Sequence, residues 1–330
     1  MDHKSINEEI KKAIRKTEEL LNEIPGSDCP QQFDNPVQQF VNPVQQFANP
    51  VQQFANPTKK KLALIIGINY RGTEKELSGI NDASDLLHKL VQDFGFNQSN
   101  IQLLIEEVAT RKNILDGLER LVRELEPGDI GVFTYAGHGT QTADLPPIDE
   151  DDMLDEAIVP IDALSDRSNL IRDDEIQEIL SKLAHDVHFV VIFDSCHSAT
   201  GTRAQEYGAL VETATREHKK LSKRFIPPTP TIKEIKEIMS DIKINNRDVS
   251  EHPLTGPNHI LLAGCKANEV AFDDLTNGYF TKALIKHMEK GISYQELYDI
   301  VRGEVLNSSN NAQEPQLDGP DFLTKMNIFE

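Results

Sequence analysis

The chain has 330 residues, 38% of them hydrophobic, and a formal net charge of −20. That length holds one large domain or two ordinary ones with ample core, and the charge argues against nucleic acid and anionic membrane as partners. Three cysteines, Cys29, Cys196 and Cys265, are too sparse and too odd a set for a disulfide framework, so a reducing compartment is expected.

Residues 1–30 read as an N-terminal extension carrying one amphipathic helix. Over residues 4–24, Ile6, Ile10, Ile14, Leu20 and Leu21 fall on one stripe among charges. Nothing local buries that stripe, so it either packs on the main domain or mediates self-association. The segment lacks the apolar core of a signal peptide, and no later stretch is long enough to span a bilayer. The chain is therefore read as cytoplasmic. Residues 31–58 form a linker with a seven-residue repeat, seen in Asn35-Pro-Val-Gln-Gln-Phe-Val41 and again from Asn42 and Asn49. A proline in every repeat opposes a continuous helix, and Asn-Pro favours turns or extended chain. The array reads as a tether, with a repeated Phe-bearing docking motif as the alternative.

From residue 59 onward the rhythm is strand then helix. Leu62–Ile68 is a buried-type strand, Ile80–Phe94 an amphipathic helix and Ile101–Ile105 a second strand. Thr110 caps a helix running to about Leu125, and Pro127-Gly128 ends it. An apolar run over Ile130–Tyr135 follows. A helix starts near Asp173, and a further apolar run covers Val187–Phe193. Residues 200–257 break the rhythm as a charged, Pro-bearing insertion. His259–Ala263 resumes the sheet, and helices near Tyr279–Glu289 and Ser293–Leu306 close the domain. Such alternation predicts a mainly parallel sheet with helices on both faces.

Two of these strands end in reactive groups. Ile130–Tyr135 leads into Ala136-Gly-His-Gly-Thr-Gln141, and Val187–Phe193 leads into Asp194-Ser-Cys-His-Ser198. The carboxyl edge of an open α/β sheet is where ligands bind, and a thiol beside an imidazole forms a nucleophile and base. Cys196 and His138 are therefore the candidate catalytic pair. His197 is a rival base, although adjacent residues on extended chain point to opposite faces. Cys265 is a rival nucleophile that better suits a packed role behind an apolar strand.

These phrases, with Lys61-Leu-Ala-Leu-Ile-Ile-Gly-Ile-Asn69, Leu77-Ser-Gly-Ile-Asn-Asp-Ala83, Asp155-Glu-Ala-Ile-Val-Pro160 and Gly278-Tyr-Phe-Thr281, resemble the caspase-like cysteine peptidases of clan CD. The likeness is greatest to the metacaspases and the bacterial orthocaspases. The animal-caspase phrase Gln-Ala-Cys-x-Gly is absent, and Asp194-Ser-Cys196 stands in its place.

The resemblance implies a caspase-hemoglobinase three-layer sandwich and a cysteine endopeptidase that cleaves after Arg or Lys. It assigns the oxyanion to the backbone N–H groups of Gly139 and Cys196, and the basic substrate side chain to Asp82 and Asp194. Asp82 could instead cap its helix. Gly79 and Ala136 stand where many metacaspases line this pocket with Cys and Ser. No cofactor is required for the chemistry. Calcium is a possible activator: Asp155, Asp173 and Asp174 match acidic positions of calcium-requiring relatives, whereas Arg203 replaces a fourth. The charged insertion offers Arg216, Lys219, Lys220, Lys223 and Arg224 as self-cleavage points in a stretch expected to be exposed. Two other readings are a catalytically silent scaffold of the same fold and an Asp-specific caspase.

Overall fold

The computed structural model describes residues 59–143, 154–196, 221–228, 254–266 and 269–330, with Leu210, Val211, Ala214 and His252 between them. The expected N-terminal helix, the repeat linker, His197, Arg203, Arg216, Lys219 and Lys220 lie outside the described residues. The fold is that of the unit Lys60–Glu330.

Its centre is a six-stranded sheet. In chain order the strands are β1 (Lys61–Gly67), β2 (Ile101–Ile105), β3 (Ile130–Ala136), β7 (His188–Asp194), β9 (Ile260–Ala263) and β11 (Gln316–Asp318). Their spatial order is β11-β9-β7-β3-β1-β2. All neighbours pair in parallel except β11, which runs antiparallel to β9. The two central strands, β3 and β7, are buried at every residue. Strands covered on both faces read as unbroken apolar runs, which is how both stood in the sequence.

Side chains alternate across the sheet. Leu64, Ile66, Phe133, Val191 and Phe193 join a core with Ile114, Leu118, Leu121 and Val122 of α2 (Arg111–Glu124) and Ile176, Ile179 and Leu180 of α3 (Asp173–Leu180). The opposite side chains, Thr134 and Ile192, meet Ala83 and Leu86 of α1 (Gly79–Phe94) and Thr281 of α4 (Tyr279–His287). Helix α5 (Tyr294–Ser308) starts from a capping box made by Ser293 and Glu296. The result is a caspase-like three-layer α/β sandwich with a mainly parallel sheet.

Two small sheets were not anticipated. β4 (Gly139–Ala143), β5 (Leu154–Ile158) and β6 (Ile171–Arg172) form an antiparallel set directly after the His138 motif. β8 (Ser222–Lys223) pairs antiparallel with β10 (Phe272–Asp273). A four-residue helix, α6 (Asp321–Thr324), lies near the C-terminus. Among the described residues no helix is long and apolar enough to cross a membrane.

Candidate active site

β3 and β7 lie side by side in a register that pairs Ala136 with Asp194. Two residues beyond each partner come His138 and Cys196, so the sheet brings the pair to one edge. Both are buried. Tyr70 and Tyr135 fix the backbone around His138. The His138 N–H donates to Tyr70 Oη at 2.9 Å, and Tyr135 Oη donates to the His138 carbonyl at 2.7 Å. The two hydroxyls meet at 2.9 Å. A Cβ on Gly137 would collide with both hydroxyls, so this tight passage requires glycine.

The imidazole is oriented by a carbonyl. His138 Nε2 lies 2.7 Å from the Lys75 oxygen, which can only accept, so Nε2 carries the proton. Nδ1 is buried with no hydrogen-bond partner among the described residues. Burial, partly offset by the Lys75 carbonyl, lowers the His138 pKa to about 4. At neutral pH the ring is uncharged, with a lone pair on Nδ1. No hydrogen bond joins it to the thiol among the described residues. Instead Cys196 Sγ accepts the Ala271 N–H at 2.9 Å.

The predicted acidic pocket is full. Arg224 is completely buried in it. Its Nη2 donates to Asp82 Oδ2 and, at 2.7 Å, to Asp273 Oδ2. Its Nη1 donates to the Asp194 carbonyl at 2.8 Å, and its Nε lies 3.7 Å from Asp194 Oδ1. The stretch carrying the five cleavage candidates is expected from the sequence to be polar and exposed. Lys223 is exposed, but Arg224 corrects that expectation, because three carboxylates compensate the desolvation of its charge. Burial pulls the Arg224 pKa down, yet Asp194, Asp82 and Asp273 together hold it well above its ordinary value.

Each carboxylate has its own anchors. Asp82 accepts from Asn277 Nδ2 at 2.9 Å and from the Gly278 N–H at 3.1 Å. Asp194 accepts from the Thr281 N–H and hydroxyl. Asp273 accepts from the Ser78 N–H and hydroxyl and from the Leu275 N–H. Asp82 sits in the first turn of α1 but does not cap it. Three acids around one guanidinium leave excess negative charge, and burial pushes the Asp82 pKa up to about 7. Gly278 forms part of the wall, where a Cβ would strike Asp194 Oδ2 and the guanidinium. Sequence reasoning missed Asp273. It lies on a two-residue strand with no periodic signal, and only the tertiary fold brings it to the pocket.

The backbone of Arg224 is held as firmly as its side chain. Its carbonyl oxygen accepts the Gly139 N–H at 3.0 Å and the Cys196 N–H at 3.2 Å. Its N–H donates to the Ala271 carbonyl at 3.0 Å. A basic residue thus lies in the acidic pocket with its carbonyl between two backbone donors, beside the thiol.

Cys265 is buried near the same edge, its Sγ 3.5 Å from the Ser195 carbonyl. Contact with Cys196 and then burial raise its pKa well above the usual thiol value, so it stays protonated. Asp155 and Asp173 are also buried. Burial and Asp173 push the Asp155 pKa up to about 11, and Arg172 Nε lies 3.1 Å from Asp155 Oδ2. Asp174 stands in the first turn of α3. Among the described residues no group of three His, Cys, Asp or Glu side chains is placed to hold a metal. Arg172 already stands against one of these carboxylates.

Comparison with known proteins gives the family. Residues 60–326 match the Caspase domain family, Peptidase_C14. Metacaspase-1 of Schizosaccharomyces pombe is 33% identical over 78% of this chain and 67% of its own length. Metacaspase-1 of Candida albicans is 32% identical over 78% of this chain and 64% of its own length. Metacaspase-4 of Arabidopsis thaliana is 40% identical over 42% of this chain and 33% of its own length. The chain therefore spans about two thirds or less of these curated relatives. The crystal structure of protein GSU0716 from Geobacter sulfurreducens is similar with a TM-score of 0.56 at 25% identity, over 82% of this chain and 98% of that one.

Proposed function

This chain belongs to the caspase-domain family of cysteine peptidases, and we propose that it is an endopeptidase that cleaves after Arg or Lys and first cuts itself after Arg224. One observation carries the reading: Arg224 lies in the acidic pocket with its carbonyl oxygen on the Gly139 and Cys196 N–H groups. In that pose the next bond, Arg224–Phe225, is the one presented to the thiol.

The chemistry follows from the groups in place. Cys196 Sγ leaves the Ala271 N–H and attacks the carbonyl carbon, and its proton passes to His138 Nδ1. The oxygen takes the negative charge and is held by the two N–H donors. The C–N bond then breaks, and the proton on Nδ1 goes to the leaving amine. Water adds to the thioester with Nδ1 as base, which frees the acid and restores the thiol. A neutral imidazole fixed through Nε2–H has the tautomer these steps need.

Specificity follows from charge. A guanidinium or ammonium meets three carboxylates; one Arg nitrogen, Nη2, donates to both Asp82 and Asp273, and the other, Nη1, donates to the Asp194 carbonyl. An Asp side chain would bring a fourth negative charge into the same pocket, which disfavours the Asp-specific reading. The proposal routes no step through a metal. Calcium is retained only as an activator, tested by comparing activity in chelator with activity in added Ca²⁺.

A panel of fluorogenic peptides ending in Arg, Lys or Asp tests the reading. Arg and Lys peptides should be cut, Asp peptides should not, and Cys196→Ala and His138→Ala should each lose on the order of 10⁴-fold or more. Near-wild-type turnover in either variant, or cleavage after Asp, would sink it. A silent scaffold would cut none of the three.

A further inference from the structure

We propose that the groove beyond the scissile bond is a second specificity site: it selects two large apolar side chains after the basic residue, and Arg167 positions the strand that bears them. The inference rests on the reading of Arg224 as the residue before the cut bond. Past Arg224 the segment runs alongside the start of β4. The Ile226 N–H donates to the Gly139 carbonyl at 2.9 Å, and Thr140 Oγ1 donates to the Ile226 carbonyl at 2.6 Å. Arg167 Nη2 donates to the Pro227 carbonyl at 2.9 Å, and its Nη1 reaches Thr140 Oγ1 at 3.3 Å. The second and third residues after the bond are therefore gripped by main-chain contacts that any peptide could supply.

The side chains are gripped as well. Phe225 is buried in an apolar cluster with Cys196, Cys265, Val270, Ala271 and Phe272. Ile226 is buried against the main core. On the other side of the bond, Lys223 is exposed and the pairing with β10 covers only Ser222 and Lys223. Apart from the basic pocket, the discriminating walls thus lie mainly after the bond. Apolar walls reject small or charged groups because burying a charge without a partner is costly and a missing side chain leaves contacts unmade. Arg167 is half-buried; one arm of its guanidinium holds the Pro227 carbonyl and the other reaches Thr140 Oγ1, the same hydroxyl that holds the Ile226 carbonyl. It acts as a positioning residue that holds the third carbonyl so that the first two side chains seat.

The test uses the full-length chain and quenched peptides built on Leu-Ser-Lys-Arg-Phe-Ile-Pro-Pro. In the comparison peptides the Phe-Ile pair becomes Ala-Ala or Asp-Asp, and one peptide ends in a coumarin amide directly after Arg. The chain's own segment competes with all of them alike, so ratios are informative. Phe-Ile should exceed Ala-Ala in kcat/KM by about tenfold or more, and Asp-Asp should be cut least. Arg167→Met should lower the ratio of kcat/KM on the Phe-Ile peptide to that on the coumarin amide by about tenfold, and Arg167→Lys should restore part of it. A variant that is merely misfolded would lose both substrates together and leave the ratio intact. Equal cleavage of Phe-Ile, Ala-Ala and Asp-Asp peptides, or an unchanged ratio in an Arg167→Met variant that still cuts the coumarin amide at the wild-type rate, would overturn the inference while leaving Arg specificity standing. Failure to cut any Arg peptide, the coumarin amide included, would instead reject the underlying reading and this inference with it.

Discussion

His138 and Asp82 are both buried, yet burial moves them in opposite directions, as it must for a base and an acid. His138 falls to about 4 and Asp82 rises to about 7. Near neutrality the imidazole is already deprotonated, so it does not set the acid limb of activity there. Asp82 does: below about pH 7 it carries a proton and the basic substrate loses one ionic partner. That value belongs to the pocket with a guanidinium in it, so the kcat for Arg peptides should rise with pH through about 7. Asp82→Asn should flatten that limb and lower the plateau by on the order of 2 kcal/mol or more. A limb that stays near pH 7 in Asp82→Asn would show that another group titrates. Of the three pocket acids, Asp82 and Asp194 were legible because they stand in motifs. Asp273 was not, since nothing in a two-residue strand announces its neighbours.

At the scale of elements, the clamp behind His138 joins three pieces of the fold. Tyr70 follows β1, Tyr135 ends β3 and Val159 follows β5. Tyr70 Oη donates to the Val159 carbonyl at 2.7 Å while accepting from His138. Tyr70 itself is left-handed at φ +53°, a conformation a large residue holds only when its surroundings fix it. Tyr70→Phe should cost about 1–3 kcal/mol, because the buried His138 N–H loses its acceptor. The melting midpoint should fall by roughly 2–4 °C for each kcal/mol lost. An unchanged midpoint would show that the clamp is dispensable. The long elements of this scaffold were readable from the sequence. β3 and β7 are continuous apolar runs, and α2 announces itself with Thr110 accepting from the Asn113 N–H. β4, β8 and β10 were not. They are short or polar: β8 is itself part of the bound segment, β10 pairs with it and β4 runs alongside it.

Across the whole molecule, residues 221–228 of the insertion place Arg224 in the groove formed by the ends of β3 and β7. Strands on both sides of that residue belong to one sheet: β7 precedes it, and β9 and β11 follow it. Cutting after Arg224 should therefore leave two pieces that stay together, 1–224 and 225–330. On this reading Arg224 is the chain's own first point of cleavage. Intact-mass analysis with N-terminal sequencing, on wild type beside Cys196→Ala and Arg224→Ala, tests it most directly. The expected result is a C-terminal piece beginning at Phe225 in the wild type and no such piece in either variant. A wild type that is fully active on Arg peptides yet uncut at Arg224–Phe225 would contradict it.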